Sequence, residues 1–290
     1  MNKLVGLSIV VPAYNESQSI AKVLTSLKME LDGKLTYEII VVNDGSTDNS
    51  REILDAIPYI KVVSHKINRG YGSSLKTGIE NSQYDWVLTF DSDGSHPPHR
   101  ILDLIKFCDD YDLIIGARVG KQAHDTVFRK IGRQIVTGFA QYISRAKILD
   151  INSGFRLFKK DLAKKFWHLF PEGFSFSTTL TVASHVGHHA VKYIPIESYK
   201  RQAGRSGIKP IRDMAGFLNI VLRLAIYFKP LRVFVPLSIS FFIAAILAVG
   251  VGYYFTQGFL DTTFAILFNL SVQSFIFGLI AEMIVKRFYS

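Results

Sequence analysis

Two aspartates one residue apart, Asp91 and Asp93, close the apolar run Trp86-Val87-Leu88-Thr89-Phe90 and lead into Gly94-Ser95-His96-Pro97-Pro98. On an extended segment, side chains two apart share a face. The carboxylates can therefore converge on one hard cation with oxygen ligands, and such a cation can bind a diphosphate. Asp-Ser-Asp-Gly is equally a good surface turn. Which reading holds depends on what else reaches the same strand end.

From Leu7 to Gly116, short β-branched runs alternate with helix-length segments: Leu7 to Val11, Tyr37 to Val42, Ile60 to Ser64, Trp86 to Phe90 and Asp112 to Ile115. This alternation predicts an α/β fold with a mostly parallel sheet and crossover helices. Ser17 is read as the cap of the first helix and Asp48 of the second, with Pro97-Pro98 starting a helix around His99 to Cys108. Open sheets bind ligands at the carboxyl ends of their strands, where Pro12 to Glu16, Asn43 to Ser46 and Asp91 to Ser95 all fall. Between Lys121 and Lys209 the pattern is less regular. A helix near Val127 to Ser144, the segment Ser153-Gly154-Phe155-Arg156 and a strand near Val191 to Ile194 are read as an extension of the same domain.

The chain has 290 residues, a net charge of +10 and a pI near 9.5, but its charges are unevenly spread. None occurs from Val233 to Leu260, and a second uncharged stretch runs from Thr262 to Ala281. A spanning helix needs about 20 apolar residues, which Val233 to Phe255 and Phe264 to Val285 both supply. A buried hairpin in a soluble core is the alternative. Lys209 to Phe228 has apolar residues near helical spacing and suits a helix at the membrane interface. The expected divisions are residues 1–208, 209–231 and 232–290. Thr256 to Thr263 lacks Lys and Arg while both flanks are basic, which predicts a multi-pass cell-membrane protein with its N-terminal domain and Lys286-Arg287 in the cytosol. No cleavable signal peptide is expected, since Leu7 to Val11 is short and Pro12 follows.

The positive charge lacks the aromatic interleaving and the helix-turn-helix or zinc patterns of nucleic-acid binders, so it is assigned to a membrane surface. The single cysteine, Cys108, is assigned to core packing and excludes an internal disulfide. Gly70 to Leu75 lacks the third glycine of a dinucleotide fingerprint, and His185, His188 and His189 lack a zinc-hydrolase spacing.

Taken in order, Val10-Val11-Pro12-Ala13-Tyr14-Asn15-Glu16, Val42-Asn43-Asp44-Gly45-Ser46-Thr47-Asp48, Asn68-Arg69-Gly70, Asp91-Ser92-Asp93 and Ser153-Gly154-Phe155-Arg156 resemble family-2 glycosyltransferases of the GT-A fold. With the terminal hairpin, the whole chain resembles the polyprenyl-phosphate glycosyltransferases. The resemblance implies inverting transfer of one sugar from a UDP- or GDP-sugar to undecaprenyl or dolichyl phosphate. No Gln-x-x-Arg-Trp sequence of processive synthases is present. It also implies Mg²⁺ or Mn²⁺ on Asp91 and Asp93. Pro12, Ala13, Tyr14, Glu16, Asp44, Gly70 and Arg201 would serve the donor nucleotide, and Arg118, Arg129 and Arg133 the acceptor phosphate.

Asp93 and Asp150 are the catalytic candidates, Asp150 as an orienting or assisting carboxylate or else a structural cap. Arg156 is either a salt-bridge residue or a donor-phosphate contact. Four departures weaken mannose and GDP as default donors: Gly207 for a family Lys, Ser95 for Gln, Arg133 for Ser, and no acid in Gly173 to Thr179. A homo-oligomer is compatible with the sequence. The rival readings are transfer to a neutral membrane lipid, which requires a general base, and a catalytically silent binding subunit.

Overall fold

The computed structural model describes residues 4–118, 127–171, 173, 175–197, 199, 219, 221–256 and 261–289. The chain divides into two units, Met1–Leu218 and Asn219–Ser290.

In the first unit seven strands form one sheet: β1 (Leu7–Ala13), β2 (Tyr37–Asn43), β3 (Lys61–Ser64), β4 (Trp86–Thr89), β5 (Leu113–Arg118), β6 (Arg156–Lys159) and β7 (Val191–Ile196). Their order is β3-β2-β1-β4-β6-β5-β7. All pairs are parallel except those of β6, which is antiparallel to both β4 and β5. Every residue of β1 is buried, as expected for a parallel strand covered on both faces.

Around the sheet lie α1 (Ile20–Leu31), α2 (Ser50–Asp55), α3 (Tyr71–Glu80), α4 (Ile101–Ile105), α5 (Val127–Ser144), α6 (Lys160–Lys165) and α7 (Phe176–Val186). Helix α1 buries Ile20, Val23, Leu24, Leu27 and Leu31, one stripe at helical spacing that joins the core under β1 and β4. Cys108 lies in that core, where burial raises its thiol pKa to about 12.

Two local expectations are corrected. Helix α1 begins at Ile20 rather than after Ser17, whose backbone N–H instead donates to Asp48 Oδ2 at 3.1 Å. Asp48 also accepts from the Ser50 N–H at 3.0 Å, so one side chain ties the β1–α1 loop to the start of α2. The stretch after α5 adds β6, α6 and α7, which the sequence reading did not separate.

The reversal of β6 builds the site. Arg156 pairs with Thr89 at the end of β4 and with Ile115 midway along β5. The residues entering β6 therefore cross the rim between the two strand ends. Ser153 Oγ–H donates to Gly116 O at 2.6 Å on the β5 side, and Thr89 Oγ1–H donates to Gly154 O at 2.6 Å on the β4 side.

In the second unit, residues 221–228 are helical, with Val221, Leu224, Ala225 and Phe228 buried. Helices α8 (Leu231–Val251) and α9 (Asp261–Tyr289) follow, and both are long and apolar enough to cross a membrane. The 21 residues of α8 reach about 31 Å, close to the hydrocarbon thickness of a bilayer. The pair is joined by polar contacts, with Ser271 Oγ–H donating to Ser238 O at 2.9 Å and the two hydroxyls 3.2 Å apart. A Cβ on Gly278 would fall 2.7 Å from Phe234 Cβ, so the glycine allows close helix approach.

Candidate active site

Asp91 follows the end of β4 and is gripped at both oxygens. Tyr71 Oη–H, at the first residue of α3, donates to Oδ1 at 2.9 Å. His96 Nε2 lies 2.9 Å from Oδ2. A Cβ on Gly154 would stand 2.4 Å from Oδ2, so only glycine fits beside this carboxylate. Burial pushes the Asp91 carboxyl up, but the His96 and Tyr71 hydrogen bonds and the charge of Arg118 together hold it below the usual carboxylate range. Asp93 accepts from the Ser95 N–H at 3.0 Å, an Asx-type contact that shapes the loop.

The donor set of Asp91 and Asp93 fits a Mg²⁺ or Mn²⁺ ion. Such ions are held by one or two carboxylates and take their remaining ligands from water and substrate phosphates. Among the described residues no three His, Cys, Asp or Glu side chains converge, which is a poor fit to an all-protein cation cage.

Across the Ser153–Gly154 segment, Arg118 at the end of β5 forms a two-point pair with Asp150, Nε to Oδ2 at 2.7 Å and Nη2 to Oδ1 at 3.0 Å. Asp150 Oδ2 also accepts the Arg118 backbone N–H at 3.2 Å, and Oδ1 the Asn152 N–H at 3.1 Å. Two hydrogen bonds at each oxygen fill the acceptor capacity of a carboxylate. Burial raises the Asp150 carboxyl pKa, and the Arg118 bonds more than reverse the effect. The Asp150 side chain is 8% exposed and that of Arg118 24%. Asp150 thus orients the arginine. Two of the five guanidinium N–H bonds are taken by Asp150, and among the described residues the other three meet no acceptor.

Among the described residues Arg156 forms no salt bridge, and its full burial disfavours the reading as a phosphate contact. It is fully buried and donates to Ser153 O, Ser177 O and Thr181 Oγ1 at 2.5 to 3.1 Å. Burial without a carboxylate partner pushes its pKa down to about 10. Its role is to fix the carbonyl of Ser153 and the first turn of α7, and so to hold the wall between Asp91 and Arg118.

The donor-nucleotide candidates divide by exposure. Pro12 and Ala13 are buried in β1, Glu16 is buried and accepts from Ser19 Oγ–H at 2.7 Å, and Tyr14 is exposed. The Asp44 carboxylate is buried and supports the 65–70 loop. It lies 2.6 Å from His65 Nδ1 and accepts the Arg69 and Gly70 N–H groups at 2.9 and 2.8 Å. Gly70 has φ +94°, the conformation that brings its N–H onto Asp44. Any contact from Asp44 to a base is added to these bonds.

Arg129 and Arg133 lie one turn apart on the backbone of α5, but their side chains, like Arg201 and Glu172, fall outside the described residues. The sequence reading missed Tyr71, His96 and Gly154 as partners of Asp91. The only local signal was His96 in the loop that Asp91 opens.

The mostly parallel sheet with its helices is a GT-A fold, and the comparisons with known proteins agree. The chain belongs to glycosyl transferase family 2, whose model matches residues 8–167. The GtrB C-terminal hairpin model matches residues 229–286.

Among curated relatives, the undecaprenyl-phosphate 4-deoxy-4-formamido-L-arabinose transferase of Edwardsiella ictaluri is 30% identical over 69% of this chain and 62% of its own length. The Yersinia enterocolitica transferase of the same name is 27% identical over 97% of this chain and 89% of its own. Among solved structures, Mycobacterium tuberculosis glucosyl-3-phosphoglycerate synthase in complex with Mn²⁺, UDP and glucosyl-3-phosphoglycerate shares the fold. Its TM-score is 0.57 at 20% identity, covering 76% of this chain and 78% of that one. The same enzyme with Mg²⁺ and UDP gives a TM-score of 0.56 at 21% identity, covering 76% and 77%.

Proposed function

We propose that the protein transfers a single sugar, with inversion, from a nucleotide-sugar to polyprenyl phosphate at the cytosolic face of the cell membrane. The observation that carries this reading is the Arg118–Asp150 pair. An arginine with three N–H donors uncommitted among the described residues can gather an anion, and the carboxylate beside it has no free lone pair with which to take a proton.

A neutral alcohol acceptor would need a general base. A phosphate monoester, with a second pKa near 6, is already a nucleophilic dianion at neutral pH. The undecaprenyl-phosphate sugar transferases among the curated relatives support the lipid phosphate. The hairpin match and the two apolar helices support a membrane-held enzyme.

In the proposed reaction, an oxygen of the lipid phosphate attacks the anomeric carbon of the donor as the bond to the nucleoside diphosphate breaks. The products are the sugar phosphodiester of the lipid and the free nucleoside diphosphate. Arg118 orients the attacking phosphate, joined by Arg129 and Arg133 in this reading. Asp91 and Asp93 would hold a Mg²⁺ or Mn²⁺ ion, which offsets charge developing on the leaving diphosphate. Tyr14, Asp44 and Gly70 belong to the nucleotide side, with Arg201 assigned there by the family resemblance.

The test is incubation of the full chain with undecaprenyl phosphate and a panel of UDP- and GDP-sugars. Formation of a sugar-lipid with one donor is expected. Folded protein that yields no sugar-lipid with any donor, or that glycosylates diacylglycerol or ceramide instead, would reject the reading.

A further inference from the structure

His96 is a costly residue where it stands. Its side chain is 3% exposed, and its ring stacks on Phe155 at 5.5 Å and 25° and meets Phe90 edge-on at 5.7 Å. Such a slot favours phenylalanine or leucine. Nδ1 is buried and has no hydrogen-bond partner among the described residues. A buried polar atom left unsatisfied costs about 1 to 3 kcal/mol, so packing does not account for the histidine. Its one polar contact is Nε2 on Asp91 Oδ2.

That contact completes a grip on Asp91 from three directions. Tyr71 takes Oδ1, His96 takes Oδ2, and Gly154 abuts Oδ2 so closely that no side chain fits there. The grip is itself anchored, since Thr89 pins the Gly154 carbonyl and the next residue, Phe155, sets the plane of the imidazole. Among the described residues each Asp91 oxygen accepts one side-chain hydrogen bond and so keeps one lone pair. A carboxylate fixed at both oxygens presents those lone pairs in one direction and loses little entropy on binding.

We propose that His96 is a positioning residue: its Nε2–H fixes the Asp91 carboxylate in the orientation that receives the divalent cation of the donor diphosphate. This rests on the donor-side reading given above. His96 acts through Asp91, as hydrogen-bonded partners of metal ligands do, and loss of such a partner typically weakens metal affinity about 10- to 100-fold.

Calorimetric titration of the full chain in detergent with UDP and with GDP, each with and without MnCl₂, tests the proposal. In His96→Phe, which keeps the ring stack and removes the donor, the Mn²⁺-dependent gain in nucleotide affinity is expected to fall at least about tenfold. Metal-free nucleotide binding and the thermal midpoint should stay at wild-type values. His96→Gln, whose amide N–H reaches the place of Nε2, should recover most of the gain.

A wild-type metal response in His96→Phe would overturn the proposal. So would equal losses in the Phe and Gln variants with lowered thermal midpoints, which would make the role one of packing. If His96→Phe does not fold, His96→Asn replaces it, its amide being one carbon short of Asp91. A weakened metal response there supports the proposal and a wild-type response overturns it. A wild-type chain whose UDP and GDP affinities both ignore Mn²⁺ would remove the metal-dependent donor reading, and the proposal with it.

Discussion

On the β4 side of the Ser153–Gly154 segment, Asp91 accepts one hydrogen bond from a side chain at each oxygen, and 27% of its side chain stays exposed. On the β5 side, Asp150 accepts two at each oxygen and is 8% exposed. Both are aspartates near a strand end, both are held ionised, and both lie close to Arg118 in charge. They differ in unspent capacity. Among the described residues, Asp91 retains a lone pair on each oxygen, whereas Asp150 spends all of its own within the protein, three on Arg118 and one on the Asn152 N–H. A carboxylate at a rim is thus a ligand or a strut according to how many donors the chain already aims at it.

That contrast is sharpest when each side is disabled alone. Asp93→Asn, which removes a formal charge on the Asp91 side, should lower sugar transfer on the order of a thousandfold, about 4 kcal/mol of barrier. Lipid-phosphate binding should persist, measured by co-sedimentation with vesicles. EDTA should have the same effect on wild-type protein, reversed by Mg²⁺ or Mn²⁺. Transfer that survives EDTA would break the assignment of the β4 side to the donor.

On the other side, Arg118→Ala should reduce transfer about a hundredfold, chiefly through KM for the lipid. Arg118→Lys should recover only part of the loss, because an ammonium cannot hold Asp150 and a phosphate with one rigid fork. An unchanged lipid KM in the alanine variant would move the acceptor elsewhere.

Gly154→Ala tests the wall itself. Its Cβ must displace the Asp91 carboxylate or the segment, at about 1 to 3 kcal/mol, and transfer should fall roughly tenfold. Loss of Mn²⁺-dependent nucleotide binding should exceed any loss of lipid binding. Equal losses would show that the segment moves as one piece.

Asp150→Asn should be no more severe than Gly154→Ala, about tenfold on transfer, since the amide oxygen still supports one Arg118 contact. An Asp150→Ala change should add nothing in an Arg118→Ala background, whereas a true base would add its own loss. The pair also predicts an acid signature. Arg118 depresses the Asp150 pKa in the folded state. Its stabilisation is therefore complete above the unfolded value of about 3.9 and is lost as pH falls through the lower folded value. Thermal midpoints of wild type and Asp150→Asn should converge below about pH 4 and separate above it.

The strands that carry the rim were legible because β1, β2 and β4 are short runs of apolar and β-branched residues ended by polar loops. Asp91 and Asp93 were legible because they follow such a run directly. Other features are set by tertiary structure. β6 has charged residues at both ends, Arg156 and Lys159, and its direction depends on neighbours remote in sequence. Helix α7 is buried nearly all round and carries Ser177, Thr178, Thr179, Thr181 and Ser184, so no polar stripe marks it. Arg156 was legible only as a salt-bridge residue or a phosphate contact, since arginine is seldom buried whole, yet here two carbonyls and a hydroxyl satisfy it. Tyr71 reaches Asp91 from 20 residues away, and no local spacing encodes that contact.

The reversed strand has one more consequence. Ser153 and Gly154 are consecutive, one bonded to the β5 side and the other abutting Asp91, so the two halves of the rim are separated by a single peptide unit, about 3.8 Å between Cα atoms. That unit works as a gauge block. Surface loops elsewhere can lengthen without altering it, while one residue inserted between Ser153 and Arg156 would move Ser153 off the Gly116 carbonyl or Gly154 off Asp91, and so disturb both sides of the rim at once.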